Sequence, residues 1–172
     1  MRIAILATNK IISASELMIA TLRTDLVPVP VSIEFAVKYT KELNDQLVDG
    51  AEIIVNDIPY PFEIVYSHPV KSQTIKDNSR IGAISCIAVF KGCKKILEQA
   101  KKAVVLEQTS FNAAYRACGA SNIRLGDDIP LPEFICLNGT LISERIALYL
   151  QQEAAVICFK ETKICILKLD AL

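Results

Sequence analysis

Chemistry in this chain would have to come from a short list of side chains: the carboxylates Asp127, Asp128 and Glu133, the single imidazole His68, and six cysteines. Carboxylates this close in sequence are hard-cation ligands or an acid/base pair in some proteins, but two aspartates after Gly126 are also what a solvated turn uses, and no second histidine completes a ligand set. The turn is the favoured reading. His68 precedes Pro69 at an expected strand end, and nothing in the sequence identifies a thiol or hydroxyl for it to deprotonate. Cys118 precedes Gly119 at the expected C-terminus of a helix, where the dipole disfavours a thiolate nucleophile.

The cysteines Cys86, Cys93, Cys118, Cys136, Cys158 and Cys165 contain no C-x-x-C pair, so zinc-type spacing is absent and they read as reduced packing residues. One pair stands apart. If Phe159 and Ile164 flank a symmetric loop centred on Glu161-Thr162, Cys158 faces Cys165 at a hydrogen-bonded site, near enough in principle for a bridge; in a reducing cytoplasm the thiols stay free. Asn138-Gly139-Thr140 matches a glycosylation acceptor, but a turn followed by a helix cap explains it equally. There is no phosphate-binding glycine loop and no nucleophile elbow, and with 6% aromatics and no tryptophan there is no RNA-stacking platform. Catalytic residues, metals, cofactors and a small-molecule substrate are therefore not expected.

The 172 residues are 52% hydrophobic, ample to bury a core. Nineteen basic residues balance nineteen acidic ones, so the long-range field that gathers nucleic acid is missing. The apolar start, Met1 to Thr8, is too short for a signal peptide or a membrane span, which places the expected site of synthesis in the cytoplasm.

The elements that must position any site divide the chain into an expected β-barrel-like domain, 1–91, and a small α/β domain, 92–172, an α+β fold. Arg2 to Ala7 reads as a strand, and Ser13 to Thr21 as a short helix with Ser13 and Glu16 at capping-box spacing, though an irregular strand fits nearly as well. Val27-Pro-Val-Pro-Val31 lacks two backbone donors and reads as an extended edge, continuing into a strand with Val31, Ile33, Phe35 and Val37 on one face. Asp49-Gly50 turns into a strand Ala51 to Asn56. Asp57 to Pro61 turns again before a strand Phe62 to Ser67, Val70 to Asn78 reads as a long loop or irregular edge, and Arg80 to Phe90 as a strand buried on both sides. Four or five strands in ninety residues imply a small antiparallel barrel or strongly curled sheet.

Further on, Cys93 to Lys101 reads as a short helix with Ile96, Leu97 and Ala100 inward, and Ala103 to Leu106 as a strand. A helix capped by Thr109 or Ser110 runs to Cys118 with Phe111, Ala114, Tyr115 and Cys118 on one face. Ile123 to Leu125 is a short strand and Pro130 to Leu137 is extended. Thr140 caps a helix, Leu141 to Ala154, with Ile142, Ile146, Tyr149 and Leu150 on one stripe. The hairpin Val156 to Phe159 and Ile164 to Leu169 closes the chain.

In this order the features resemble the tail-hub proteins of bacteriophages, notably the baseplate hub of Mu-like phages, and the N-terminal region of type VI secretion spikes. The residues that carry the likeness are Asp49-Gly50 with the strands AEIIVN and FEIVYS, then Ile129 to Ile135, then Ile146, Leu150 and Glu153, then Val156 to Phe159 and Ile164 to Asp170. Ala154-Ala155 stands where a glycine is usual, and Leu148 where an arginine is common. The chain ends about where a second barrel would begin, as expected of a shortened or split hub subunit.

The resemblance implies a non-enzymatic structural subunit of a tail tip or baseplate hub, forming a ring, joining tail tube to central spike, and located in the virion tail after assembly in the host cytoplasm. Its partners would be itself, as a trimer, and other tail or hub proteins. The candidate contact residues are Val27, Val29 and Val31 on the proline-rich edge, and Ile164, Ile166 and Leu169 on the last strand. The same residues also fit ordinary edge strands blunted by proline or lysine. The alternatives are a non-enzymatic assembly protein of another secretion or pilus apparatus, and a thiol-dependent enzyme.

Overall fold

A computed structural model of the chain describes residues 1–55, 58–76 and 79–171, with the backbone alone for 71–76, 79–81 and 171. Asn56 at the expected strand end, Asp57 of the expected turn, Asp77 and Asn78 of the expected loop, and Leu172 lie outside the described residues. The chain is a mixed α+β protein, mostly strands, and it divides into two compact units: Met1–Arg23 with Ser32–Lys91, and Thr24–Val31 with Gly92–Leu172.

The first unit is built on a seven-stranded sheet. Its strands are β1 (Ile3–Ile5), β2 (Lys10–Ile12), β3 (Leu17–Thr24), β4 (Val31–Lys38), β5 (Glu52–Val55), β6 (Phe62–Lys76) and β7 (Ser79–Phe90), in the order β2-β1-β5-β6-β7-β4-β3. Antiparallel pairing joins β1 to β2 and β5, β5 to β6, β6 to β7, and β7 to β4. Strict alternation in β4 buries Val31, Ile33, Phe35 and Val37 and leaves the residues between them half-exposed, as a sheet with one covered face requires. Tyr60, Phe62 and Phe90 form an aromatic cluster with centroid separations of 5.4 and 4.7 Å.

A bulge in β6 changes which side chains point inward. The register passes from Ile64 opposite Ala88 to Tyr66 opposite Ile87, so Val65 is the extra residue. Beyond it Tyr66 faces out and Ser67 faces in, where its hydroxyl donates to the carbonyl of Leu47 and lies 3.7 Å from the Cys86 thiol. Leu47 closes α1 (Lys41–Gln46), a helix that the sequence reading omitted; the Thr40 hydroxyl caps it by accepting the N–H of Leu43 at 3.1 Å.

Three stretches of this unit differ from one of their expected readings. Ser13 to Thr21 is not a helix. The capping-box contacts form, with the Ser13 N–H 2.9 Å from the Glu16 carboxylate, and that bond holds the Glu16 carboxyl below its usual range. They close a single turn, after which Leu17–Thr24 extends as β3, because pairing with β4 satisfies more backbone groups than one helical turn. From Val70 the chain follows the irregular-edge reading rather than the loop: β6 continues as far as Lys76 with a register shift between Lys71 and Ile75, and polar residues are tolerated there because the antiparallel partner β7 supplies the backbone bonds. Finally, β7 is covered on both faces only near its end: Ile84, Cys86, Ala88 and Phe90 are buried on one face, and on the other Val89 is buried while Ala83, Ser85 and Ile87 are half-exposed.

In the second unit a 3₁₀ turn (Lys91–Leu97) leads to β8 (Val104–Ser110), α2 (Phe111–Ala117), β9 (Pro130–Cys136), α3 (Ile142–Gln152), β10 (Ala155–Lys160) and β11 (Lys163–Lys168). The 3₁₀ turn replaces the expected α-helix at Cys93 to Lys101. Its three-residue repeat buries Cys93 and Ile96 and turns Leu97 out to 41% exposure. β8 and β9 pair antiparallel, and Gln108, at φ 46°, falls where Pro132 has no N–H to give. The Ser110 hydroxyl caps α2, and Phe111, Ala114, Tyr115 and Cys118 are buried as the spacing predicts.

The expected cap at Thr140 is also corrected. α3 starts from Leu141 with no side-chain cap, and the Ile142 N–H finds the Glu98 carbonyl at 3.1 Å instead. Its buried stripe is Ile142, Ile146, Tyr149 and Leu150. Arg145 fixes the helix to β9 by donating to the Ile135 carbonyl and lying over the Tyr149 ring at 4.8 Å. The Ile135 N–H donates to the Tyr149 hydroxyl at 3.0 Å. The turn after α3 places Ala154 at φ 46°, the left-handed position where a glycine is usual.

Candidate interaction surfaces

The three carboxylates do not converge. Asp128 is structural: its Oδ1 accepts the N–H groups of Asn112 at 2.9 Å and Ile129 at 2.8 Å, satisfying a donor of the first turn of α2. Asp127 offers its main-chain carbonyl to the Ile166 N–H at 2.9 Å, and its side chain is exposed. Glu133 lies exposed on β9 opposite Glu107. Among the described residues no three His, Cys, Asp or Glu side chains are grouped to hold a metal ion. His68 is exposed on β6, opposite Ser85, with the Tyr66 ring 6.3 Å away.

All six cysteines are free thiols, five of them buried and Cys158 half-buried. Burial pushes Cys86 and Cys93 up to about 11 and Cys118 to about 12; it raises Cys136 and Cys158 as well. The three thiols displaced furthest, Cys86, Cys93 and Cys118, are poor nucleophiles at neutral pH.

The six candidate contact residues separate by exposure. Val27 and Leu169 are exposed, at 47% and 53%, whereas Val29, Val31, Ile164 and Ile166 are at most 8% exposed and belong to the core. The edge of β11 is also not open along its length. The Ile164 N–H donates to the Arg124 carbonyl, the Gly126 N–H donates to the Ile164 carbonyl, and the Ile166 N–H donates to the Asp127 carbonyl, so residues 124–127 occupy that edge. Gly126 permits the approach, since a Cβ there would lie 2.6 Å from the Cys165 sulfur.

Exposed apolar residues collect elsewhere. Within the second unit, a groove of about 580 Å³ runs between the loop residues Leu26, Val27 and Pro28 and the outward side of α3, where Ala147 and Leu148 contribute its wall and Glu144 and Gln151 its polar margin. The loop is held in place by the Asp25 N–H donating to the Pro30 carbonyl at 2.9 Å and by the buried Tyr115 hydroxyl donating to the Pro28 carbonyl at 2.6 Å. In the first unit, Met18 and Ile19 are 52% and 63% exposed on β3, at one end of the sheet order. Sequence reasoning missed Leu26, Leu148, Met18 and Ile19. The signal for Leu148 was present, since an apolar residue there falls off the buried stripe of α3.

No protein-family model matches the sequence, and no curated protein matches it. Among solved structures the fold is similar to that of a 43 kDa tail protein of prophage MuSo2 from Shewanella oneidensis, with a TM-score of 0.60 and 13% identity over 96% of this chain. A prophage tail protein, gp18, from Listeria monocytogenes EGD-e aligns over the same share of this chain with a TM-score of 0.49 and 9% identity. The chain spans about half the length of these two proteins, 53% and 49%. The likeness to the Shewanella protein is one of fold, extending through both units of this chain.

Proposed function

We propose that the chain is a structural subunit of a phage tail, acting at the tail tip or baseplate hub or in a related injection machine. The observation that carries this reading is the correspondence of fold, over 96% of the chain, with the MuSo2 tail protein. In this role the strand-rich part, 1–91, is a curled, barrel-like body, and 92–172 is the small α/β domain that follows it. Copies form a closed ring of three that joins tail tube to central spike, and the protein resides in the virion tail after assembly in the host cytoplasm. Such a ring is held by apolar patches rather than catalytic groups. The exposed Val27 and Leu148 of the groove, Met18 and Ile19 on β3, and Leu169 after β11 are the contact residues this reading assigns, against other copies or neighbouring tail proteins.

The test is native mass spectrometry of the chain alone and co-expressed with the products of its neighbouring genes. A closed trimer, or a defined complex with a tail protein, is the expected result. Monomer under every combination would overturn the assembly role, and capture by a secretion or pilus component without tail genes nearby would move the protein to that class of machine.

A further inference from the structure

The assembly role proposed above assigns nothing to Cys158 and Cys165, yet the fold sets them face to face. β10 and β11 pair them directly, in a hairpin closed by the two-residue turn Glu161-Thr162, both at positive φ. Lys160 and Lys163 are the hydrogen-bonded pair that closes such a turn, and pair types alternate along an antiparallel ladder, so Cys158 and Cys165 are again a hydrogen-bonded pair. The Cα separation of such a pair is about 5.5 Å, inside the range of about 4.4–6.8 Å that a disulfide spans. Directly opposed side chains also share one face of the ladder. Cys165 is 4% exposed, with its sulfur lodged against Gly126, whereas Cys158 is only half-buried, so one thiol of the pair is within reach of a reagent in solution.

We propose that Cys158 and Cys165 are a reversible redox pair, closing to a cross-strand disulfide by exchange with a small-molecule disulfide such as oxidised glutathione and reopening when reduced glutathione is in excess. In the first step the Cys158 thiolate attacks one sulfur of oxidised glutathione; that S–S bond breaks and one glutathione leaves as thiolate. In the second, Cys165 loses its proton to solvent and attacks the Cys158 sulfur, expelling the other glutathione. Two protein thiols and one glutathione disulfide become one protein disulfide and two glutathione thiols, which take up both electrons and both protons. Reversal is expected because exchange runs in either direction and the half-buried Cys158 sulfur leaves the bridge open to attack by a glutathione thiolate. Burial raises the Cys158 thiol, with Cys165 and Asp127 adding to the shift and Lys160 opposing it, so the first attack accelerates with rising pH, about tenfold per unit below its pKa.

The experiment uses the intact chain in glutathione redox buffers, quenched in acid, alkylated and digested with trypsin. Cleavage after Arg145, Lys160, Lys163 and Lys168 puts the two cysteines on separate fragments, 146–160 and 164–168, which remain together only through a disulfide. The expected result is a linked species two hydrogens lighter than the sum of its fragments in oxidised glutathione, lost when reduced glutathione is raised to roughly tenfold excess. Cys118→Ser and Cys136→Ser variants should leave that link unchanged. Fragments that stay unlinked, a mixed glutathione adduct that never resolves, a link between another two of the six cysteines in its place, or a bridge that persists in excess reduced glutathione would each overturn the proposal.

Discussion

Replacing Gly92 by alanine should be among the most damaging single-methyl additions to this chain. A Cβ at residue 92 would lie 2.0 Å from the Ser121 carbonyl oxygen and 2.9 Å from the Ile123 Cγ2. The first neighbour is backbone, so no rotamer change relieves the overlap, and residues 121–123 must move by about 1 Å to restore ordinary contact. That movement also strains the bond from the Ser121 N–H to the Gly92 carbonyl, 2.9 Å in the native fold. Overpacking of this kind costs about 1–3 kcal/mol, and a weakened backbone bond adds roughly 1 kcal/mol, giving about 2–4 kcal/mol in all. With a urea dependence near 2 kcal/mol per molar, the midpoint of unfolding should fall by about 1–2 M. Equilibrium urea denaturation followed by far-ultraviolet circular dichroism measures it. A midpoint within about 0.3 M of the parent chain would refute the placement of residue 92 against residues 121–123.

Ala154→Gly should move stability the other way: relief of a left-handed alanine at φ 46° is worth about 1–2 kcal/mol and added glycine entropy costs about 0.5–1 kcal/mol, so a gain of roughly 0.5–1 kcal/mol is expected by the same denaturation assay. Alkaline titration reports the buried thiols. Their folded pKa values of about 11, 11 and 12 for Cys86, Cys93 and Cys118 lie above the ordinary thiol value of about 8.5, so the stability they contribute is complete below that value and is lost as pH rises through 11–12. The decline, up to about 1.4 kcal/mol per thiol per pH unit above pH 9, should vanish for each thiol replaced by serine or alanine in matched pH-dependent denaturation curves. Leu148→Asp, on the exposed wall of the groove, should leave the stability within about 0.5 kcal/mol of the parent while weakening the proposed association with other copies or tail proteins at least tenfold in sedimentation analysis.

Local signals with a short physical range were legible in the sequence. The two-residue turn fixed the Cys158–Cys165 register, because the paired strands on either side of Glu161-Thr162 leave only one symmetric pairing. The stripe Ile142, Ile146, Tyr149 and Leu150 followed from helical periodicity alone, as did the buried face of α2. Gly126-Asp127-Asp128 reads as turn chemistry, and in the fold Asp128 bonds main-chain N–H groups at 2.8 and 2.9 Å.

Tertiary structure decided the features that depend on a partner distant in sequence. Ser13 and Glu16 make the same capping contacts in a turn as in a helix, and only pairing with β4 determines that Leu17–Thr24 extends as a strand. Thr140 has the chemistry of a cap, but the Glu98 carbonyl, more than forty residues away, reaches the Ile142 N–H first. The same holds for the proposed contact surface. Val27 and Val29 are equivalent in sequence, and the last strand reads as an open edge; folding buries Val29, leaves Val27 on a groove with Leu148, and lays residues 124–127 along β11. Residue type and period set which backbone conformations are cheap, whereas exposure is a property of the whole packed chain, so the elements were readable in advance and the surface was not.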